Sequence, residues 1–72
     1  MATQAETSPP RRKRRLPQEL RDLILAAAAH EFEAAGYSGA TTAAIARRAE
    51  VTEAQIFRFF GSKAELFREA VF

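Results

Sequence analysis

Between Glu53 and Lys63 the chain carries a carboxylate, a primary amide, a guanidinium and an ammonium within three helical turns: Glu53, Gln55, Arg58 and Lys63. Such groups form hydrogen bonds and ion pairs. A Gln amide can bond two atoms of one base edge at once, most naturally on adenine, while a Glu oxygen can accept from cytosine N4. Lys and Arg neutralise phosphate and carry no sequence information. The residue types that would point to catalysis are missing. His30 is the only histidine; it has no nearby Ser or Cys to activate and no second histidine to share a metal. With no Cys at all, a disulfide, a thiolate zinc site and a thiol nucleophile are excluded. The expectation is a binding protein, not an enzyme, with no cofactor and no metal.

These side chains need a frame, and the stretch TTAAIARRAEVTEAQIFRFFGSK (41–63) supplies one. Thr41 or Thr42 can cap a helix over about 42–49 whose inward residues are Ile45, Ala46 and Ala49, spaced as one face of a 3.6-residue period, with Arg47 and Arg48 outward. Thr52 with Gln55 three residues later matches a capping box, so a second helix is expected over about 53–60. Only Glu50 and Val51 separate that cap from the helix before it, which forces a sharp change of axis and makes Val51 the apolar plug. Ile56 and Phe60 face the core; Glu53, Ala54, Gln55, Phe57 and Arg58 point away. Ser62 with Glu65 repeats the box at the start of a further helix from about 63, whose apolar stripe is Leu66, Phe67, Ala70 and Val71. Two short helices joined by a tight turn are the layout of a helix-turn-helix.

Upstream, an Ala- and Leu-rich helix over about 17–35 places Leu20, Ile24, Ala28 and Phe32 on one face. Gly36 is positioned to end it in a conformation that carries no Cβ penalty, and Tyr37 to fold back on its last turn. The fold class expected is all-α: a three-helix bundle with a helix-turn-helix plus the start of a fourth helix, spanning 17–72. At 72 residues the core is close to the lower limit for folding without disulfides or metal, and stability of a few kcal/mol at most is expected. Residues 1–16 read as a flexible arm in which Arg11, Arg12, Lys13, Arg14 and Arg15 repel one another and track phosphates or enter the minor groove. Residues 16–72 hold six basic and eight acidic side chains, so affinity for a polyanion must come from that arm and from where individual cations sit. The uncharged stretch Leu23–His30 is too short to span a bilayer and the N-terminus lacks a signal peptide's apolar core, so a soluble cytoplasmic protein is expected.

Taken together, Ile24-Leu25, Ala28, Phe32, Gly36-Tyr37, Thr41-Thr42, Ile45-Ala46, Ala49, Val51, Ile56-Phe57, Phe60 and Ser62-Lys63 resemble the N-terminal pattern of the TetR family of bacterial transcriptional regulators, over about residues 20–72. The resemblance implies a three-helix DNA-binding head with its second and third helices forming the helix-turn-helix. It further implies a homodimeric full-length protein, a palindromic double-stranded DNA operator, and a larger domain holding an inducer site that this chain lacks. The pattern stops at Phe72 without a Gly, Pro or polar stop signal, so the chain is read as a fragment cut within helix 4, monomeric by itself and weak in DNA binding.

Roles follow residue by residue. Base contacts are expected from Ala43, Glu53, Ala54, Gln55 and Phe57. The two alanines let the backbone approach or touch a thymine methyl, and both match positions where family members contact bases. Gln55 has the capping box as its competing role, and Glu53 has simple solvation. Phosphate contacts are expected from Thr42, Arg47, Arg58, Phe59 and Lys63. Thr42 is assigned by the resemblance and is equally placed to cap, whereas Lys63 joins its ammonium to the free N–H groups of a helix start, where a cation is unfavourable for the helix itself. Arg48 reads as an ordinary solvated outer face. Glu50 stands where the family usually has glycine, so a positive φ there would cost about 1 kcal/mol. Phe57 and Phe59 stand where Tyr and His or Tyr are common; their rings can pack on sugars or a thymine methyl, and Phe59 can alternatively join the core beside Phe60. The competing function is a small helical interaction module whose basic arm binds anionic membrane or an acidic partner.

Overall fold

The computed structural model describes residues 16–72, which form four helices: α1 (Pro17–Gly39), α2 (Thr42–Ala49), α3 (Glu53–Phe59) and α4 (Lys63–Val71). Among the described residues there is no strand, and the fold is all-α. The basic run 11–15 lies outside them.

Helix α1 starts where Pro17 occupies the first turn, which needs no N–H, and where the Leu16 N–H donates to Glu19 Oε1 at 3.2 Å. Its α-helical path breaks at Gly36, with φ 78° and ψ 171°, a region open essentially to glycine alone. The chain then resumes one further turn to Gly39, closed by the Ala40 N–H donating to the Gly36 carbonyl at 3.0 Å. The first helical path therefore ends at Gly36, as expected, and residues 37–39 form a separate short turn that follows the kink. That redirection lays Tyr37 beside Phe32, ring centroids 5.9 Å apart and nearly parallel. Phe67 of α4 meets both rings edge-on, at 4.9 and 5.1 Å, so three aromatics pin the end of α1 to α4.

The core is continuous across all four helices. Ile24, Ala27, Ala28 and Phe32 of α1 meet Ile45, Ala46 and Ala49 of α2, Ile56 of α3 and Leu66 of α4, with Ala40 and Phe60 closing the ends. Every one of these is nearly or wholly buried, and no polar side chain is buried among the described residues. Alanines along α1 and α2 allow close helix approach, while Ile24, Ile45, Ile56 and Leu66 supply most of the buried volume; each stabilises by roughly 1.5–3 kcal/mol through transfer from water. Leu20 and Leu25 flank this face half-buried. Val71, expected in the inward stripe of α4, is instead exposed, because the outer turn of α4 projects past the end of the core. Two ion pairs tie α1 to its neighbours: Arg21 to Glu69 of α4 at 2.8 Å, and Glu31 to Arg48 of α2 at 2.7 Å.

Candidate nucleic-acid interface

The turn between α2 and α3 follows from backbone hydrogen bonding. The Glu50 N–H donates to the Arg47 carbonyl at 3.2 Å and the Val51 N–H to the Ala46 carbonyl at 2.9 Å. This is a Schellman closure, in which the residue after the last helical one turns left-handed and the next returns an apolar side chain to the helix. Glu50 is that left-handed residue, with φ 62° and ψ 43°. It is the one non-glycine residue at positive φ among those described, and it carries the strain anticipated for a glycine position. Val51, half-buried against the core, is the plug.

Each helix start is then built by a threonine or serine. Thr41, not Thr42, caps α2, its Oγ1 accepting from the Ala44 N–H at 3.0 Å. That frees the Thr42 hydroxyl, which donates to Glu53 Oε2 at 3.3 Å and links the starts of α2 and α3. Glu53 is thus more than a solvated charge. At Thr52 the capping box is complete: the Gln55 N–H donates to Thr52 Oγ1 at 3.0 Å and the Thr52 N–H to Gln55 Oε1 at 2.9 Å. The Thr52 hydroxyl also reaches Gln55 Oε1 at 3.4 Å. The amide oxygen of Gln55 is therefore engaged, which leaves its NH₂ as the group open to an outside acceptor. A bidentate adenine contact requires the oxygen to leave the cap or share a lone pair. Ser62 caps α4 by accepting from the Glu65 N–H at 3.1 Å, but Glu65 answers one residue upstream, where its Oε1 accepts from the Gly61 N–H at 2.9 Å. The expected second box is half formed. The reason is local: at Gly61 a Cβ would stand 2.8 Å from that oxygen, so glycine is what lets the carboxylate fold over the loop.

The outward face collects most of the expected residues. Ala43 on α2 is exposed, as are Glu53, Ala54, Phe57 and Arg58 on α3, while Thr42 and Gln55 are half-buried. Phe57 is 41% exposed, a large apolar surface on an otherwise polar helix. Phe59 departs from this set. Its ring is half-buried and packs on the core, 6.4 Å from Phe60, on the same face of α3 as Ile56 three residues earlier. Arg47 and Arg58 are exposed and make no ion pair among the described residues. Arg48 is not merely solvated; its partner Glu31 is only 18% exposed, so the pair is a partly desolvated strut between α1 and α2.

Lys63 differs most from expectation. Its ammonium lies 4.6 Å from the centroid of the Tyr37 ring, within cation–π range, so the cation has an internal partner and its place at a helix start does not by itself require an external anion. No spacing in the sequence signalled the Tyr37–Lys63 or Glu31–Arg48 contacts, since both join residues on different helices. His30 is exposed, and no group of His, Cys, Asp or Glu suited to a metal occurs among the described residues. Within the same residues no helix is long and apolar enough to cross a membrane.

Residues 24–70 match the family described as bacterial regulatory proteins, tetR family. No curated protein matched the chain.

Proposed function

Because the chain belongs to the TetR family of bacterial regulatory proteins, and so contains the helix-turn-helix DNA-binding part of a transcription regulator, we propose that α3 enters the major groove of double-stranded DNA and reads base edges, with α2 and the start of α4 fixed on the flanking phosphates. The observation that carries this reading is the exposed face of α3, where Glu53, Ala54, Phe57 and Arg58 stand clear of the core at the far side of a turn locked by two backbone hydrogen bonds. A helix so held can be pushed into a groove without rearrangement.

In this reading Ala43, Ala54 and Phe57 touch thymine methyl groups or sugars, Gln55 donates from its free NH₂ to a base acceptor, and Glu53 accepts from a cytosine once Thr42 turns its hydroxyl to phosphate. Arg47, Arg58 and Lys63 hold phosphates, and Arg11, Arg12, Lys13, Arg14 and Arg15 form a separate arm that adds sequence-independent affinity. Phe59 has no place in this set, since its ring serves the core. Two heads on successive major grooves, as in a homodimer on a palindromic operator, would multiply the weak affinity of one. The sign of control is repression, which needs only occupancy of a site, whereas activation needs a further surface for polymerase. An inducer would be held outside this head, and the domain of residues 17–72 serves recognition alone.

The test is a nuclear magnetic resonance titration with duplexes selected from a random pool. Shifts concentrated in residues 42–63, with affinity falling steeply in salt at about −0.9 log units per neutralised phosphate, are the expected result. Shifts restricted to residues 11–15 would reject the assignment.

A further inference from the structure

We propose that Tyr37 is a positioning residue for DNA binding: its ring holds the Lys63 ammonium at the start of α4 in the place from which it grips a phosphate. The inference rests on the assignment of Lys63 to a phosphate and adds a residue that does not itself touch DNA. Lysine is an unfavourable choice in the first turn of a helix, because the exposed N–H groups repel a cation and the long stem lets the ammonium swing away. Here the repulsion is answered by the negative face of an aromatic ring 4.6 Å from Nζ. The ring is 41% exposed but packed on two neighbours. It lies parallel to Phe32 and takes the edge of Phe67, and Gly36 sets its direction through a backbone conformation that side chains other than glycine's hydrogen rarely allow.

Lys63 is half-buried, and part of its surface stays open to solvent beside the ring. A phosphate approaching the first-turn N–H groups of α4 would find the cation already in place, and the ordering of a four-carbon stem would not have to be supplied on binding. Residues 16–72 carry more acidic than basic groups, so the placement of each cation among them counts.

A phosphate contact is blind to sequence, so a fluorescent duplex of mixed sequence is a sufficient probe. Binding is measured by anisotropy over a series of salt concentrations for the full chain, Tyr37→Phe, Tyr37→Leu, Lys63→Ala and the double variant. Lys63→Ala is expected to weaken binding about tenfold at low salt and to flatten the log–log salt slope by about 0.9. Tyr37→Leu is expected to weaken it about threefold with the slope unchanged, Tyr37→Phe to behave as the parent, and Tyr37→Leu to have no further effect once Lys63 is alanine. An equal loss from Tyr37→Leu in both backgrounds would overturn the inference while leaving the phosphate assignment intact. A loss from Tyr37→Phe would also overturn it, by showing that the hydroxyl acts on DNA directly. If Lys63→Ala changed neither affinity nor slope, the phosphate assignment itself would fall and this inference with it. Should Tyr37→Leu not fold, the ring-current shift of the Lys63 ε-protons in the parent chain decides: retention on adding duplex supports the ring as the holder, and its disappearance refutes it.

Discussion

Replacing Glu50 by glycine isolates a single backbone term. The residue sits at φ 62° and ψ 43°, where a side chain's Cβ crowds the carbonyl, a cost of about 1–2 kcal/mol relative to the right-handed region. Glycine removes that cost but makes the unfolded chain more flexible, an opposing effect of about 0.5–1 kcal/mol. The hydrogen bonds from residues 50 and 51 to Arg47 and Ala46 are made by the backbone and survive the change. A net gain of about 0.5–1 kcal/mol is expected, which in a domain of this size raises the melting temperature by roughly 2–8 °C. Glu50 also places a negative charge at the C-terminal end of α2, the negative end of its dipole, so part of any gain would be electrostatic. Glu50→Gln separates the two, because it removes the charge and keeps the strain. Thermal and urea unfolding followed by far-ultraviolet circular dichroism should place Glu50→Gly above Glu50→Gln, with Glu50→Asn between them since asparagine tolerates the left-handed region. Equal stability of the Gly and Gln variants would refute the claim that Glu50 stores backbone strain.

Thr52→Ala should cost about 1 kcal/mol in the same unfolding assay by removing the acceptor for the Gln55 N–H. Gln55→Glu should leave stability nearly unchanged, since a carboxylate oxygen can still accept from Thr52, yet alter preference among duplexes by replacing the free NH₂ with an acceptor; an unchanged preference in competition binding would remove Gln55 from base reading. Leu66→Ala should cost about 2–5 kcal/mol, enough to leave much of the population unfolded at room temperature by circular dichroism. Deleting residues 1–15 should preserve helicity while lowering duplex affinity and flattening its salt dependence in anisotropy titrations; a melted domain would make the arm structural instead.

How far the sequence reaches can be judged at particular residues. Ile45, Ile56 and Phe60 were readable as core because helical periodicity is a property of consecutive residues. The cap of α2 was narrowed only to Thr41 or Thr42, whereas the cap at Thr52 and the turn at Glu50 were readable for the same reason, since their partners lie within five positions along the chain. So was the family, whose matched span of residues 24–70 is a pattern of such local signals.

Other assignments waited on the packing of one helix against another. Lys63 finds a ring 26 positions earlier, Arg48 finds a carboxylate on α1, and the Thr42 hydroxyl goes to Glu53 across the turn. Phe57 and Phe59, two places apart, lie on opposite faces of α3, and it is the packing of that helix that gives the Phe59 ring a place on the core. Local order is written in spacing along the chain because each helix closes its own hydrogen bonds. Which charged group meets which partner is decided by the relative placement of helices, and that is set by the fit of the whole core.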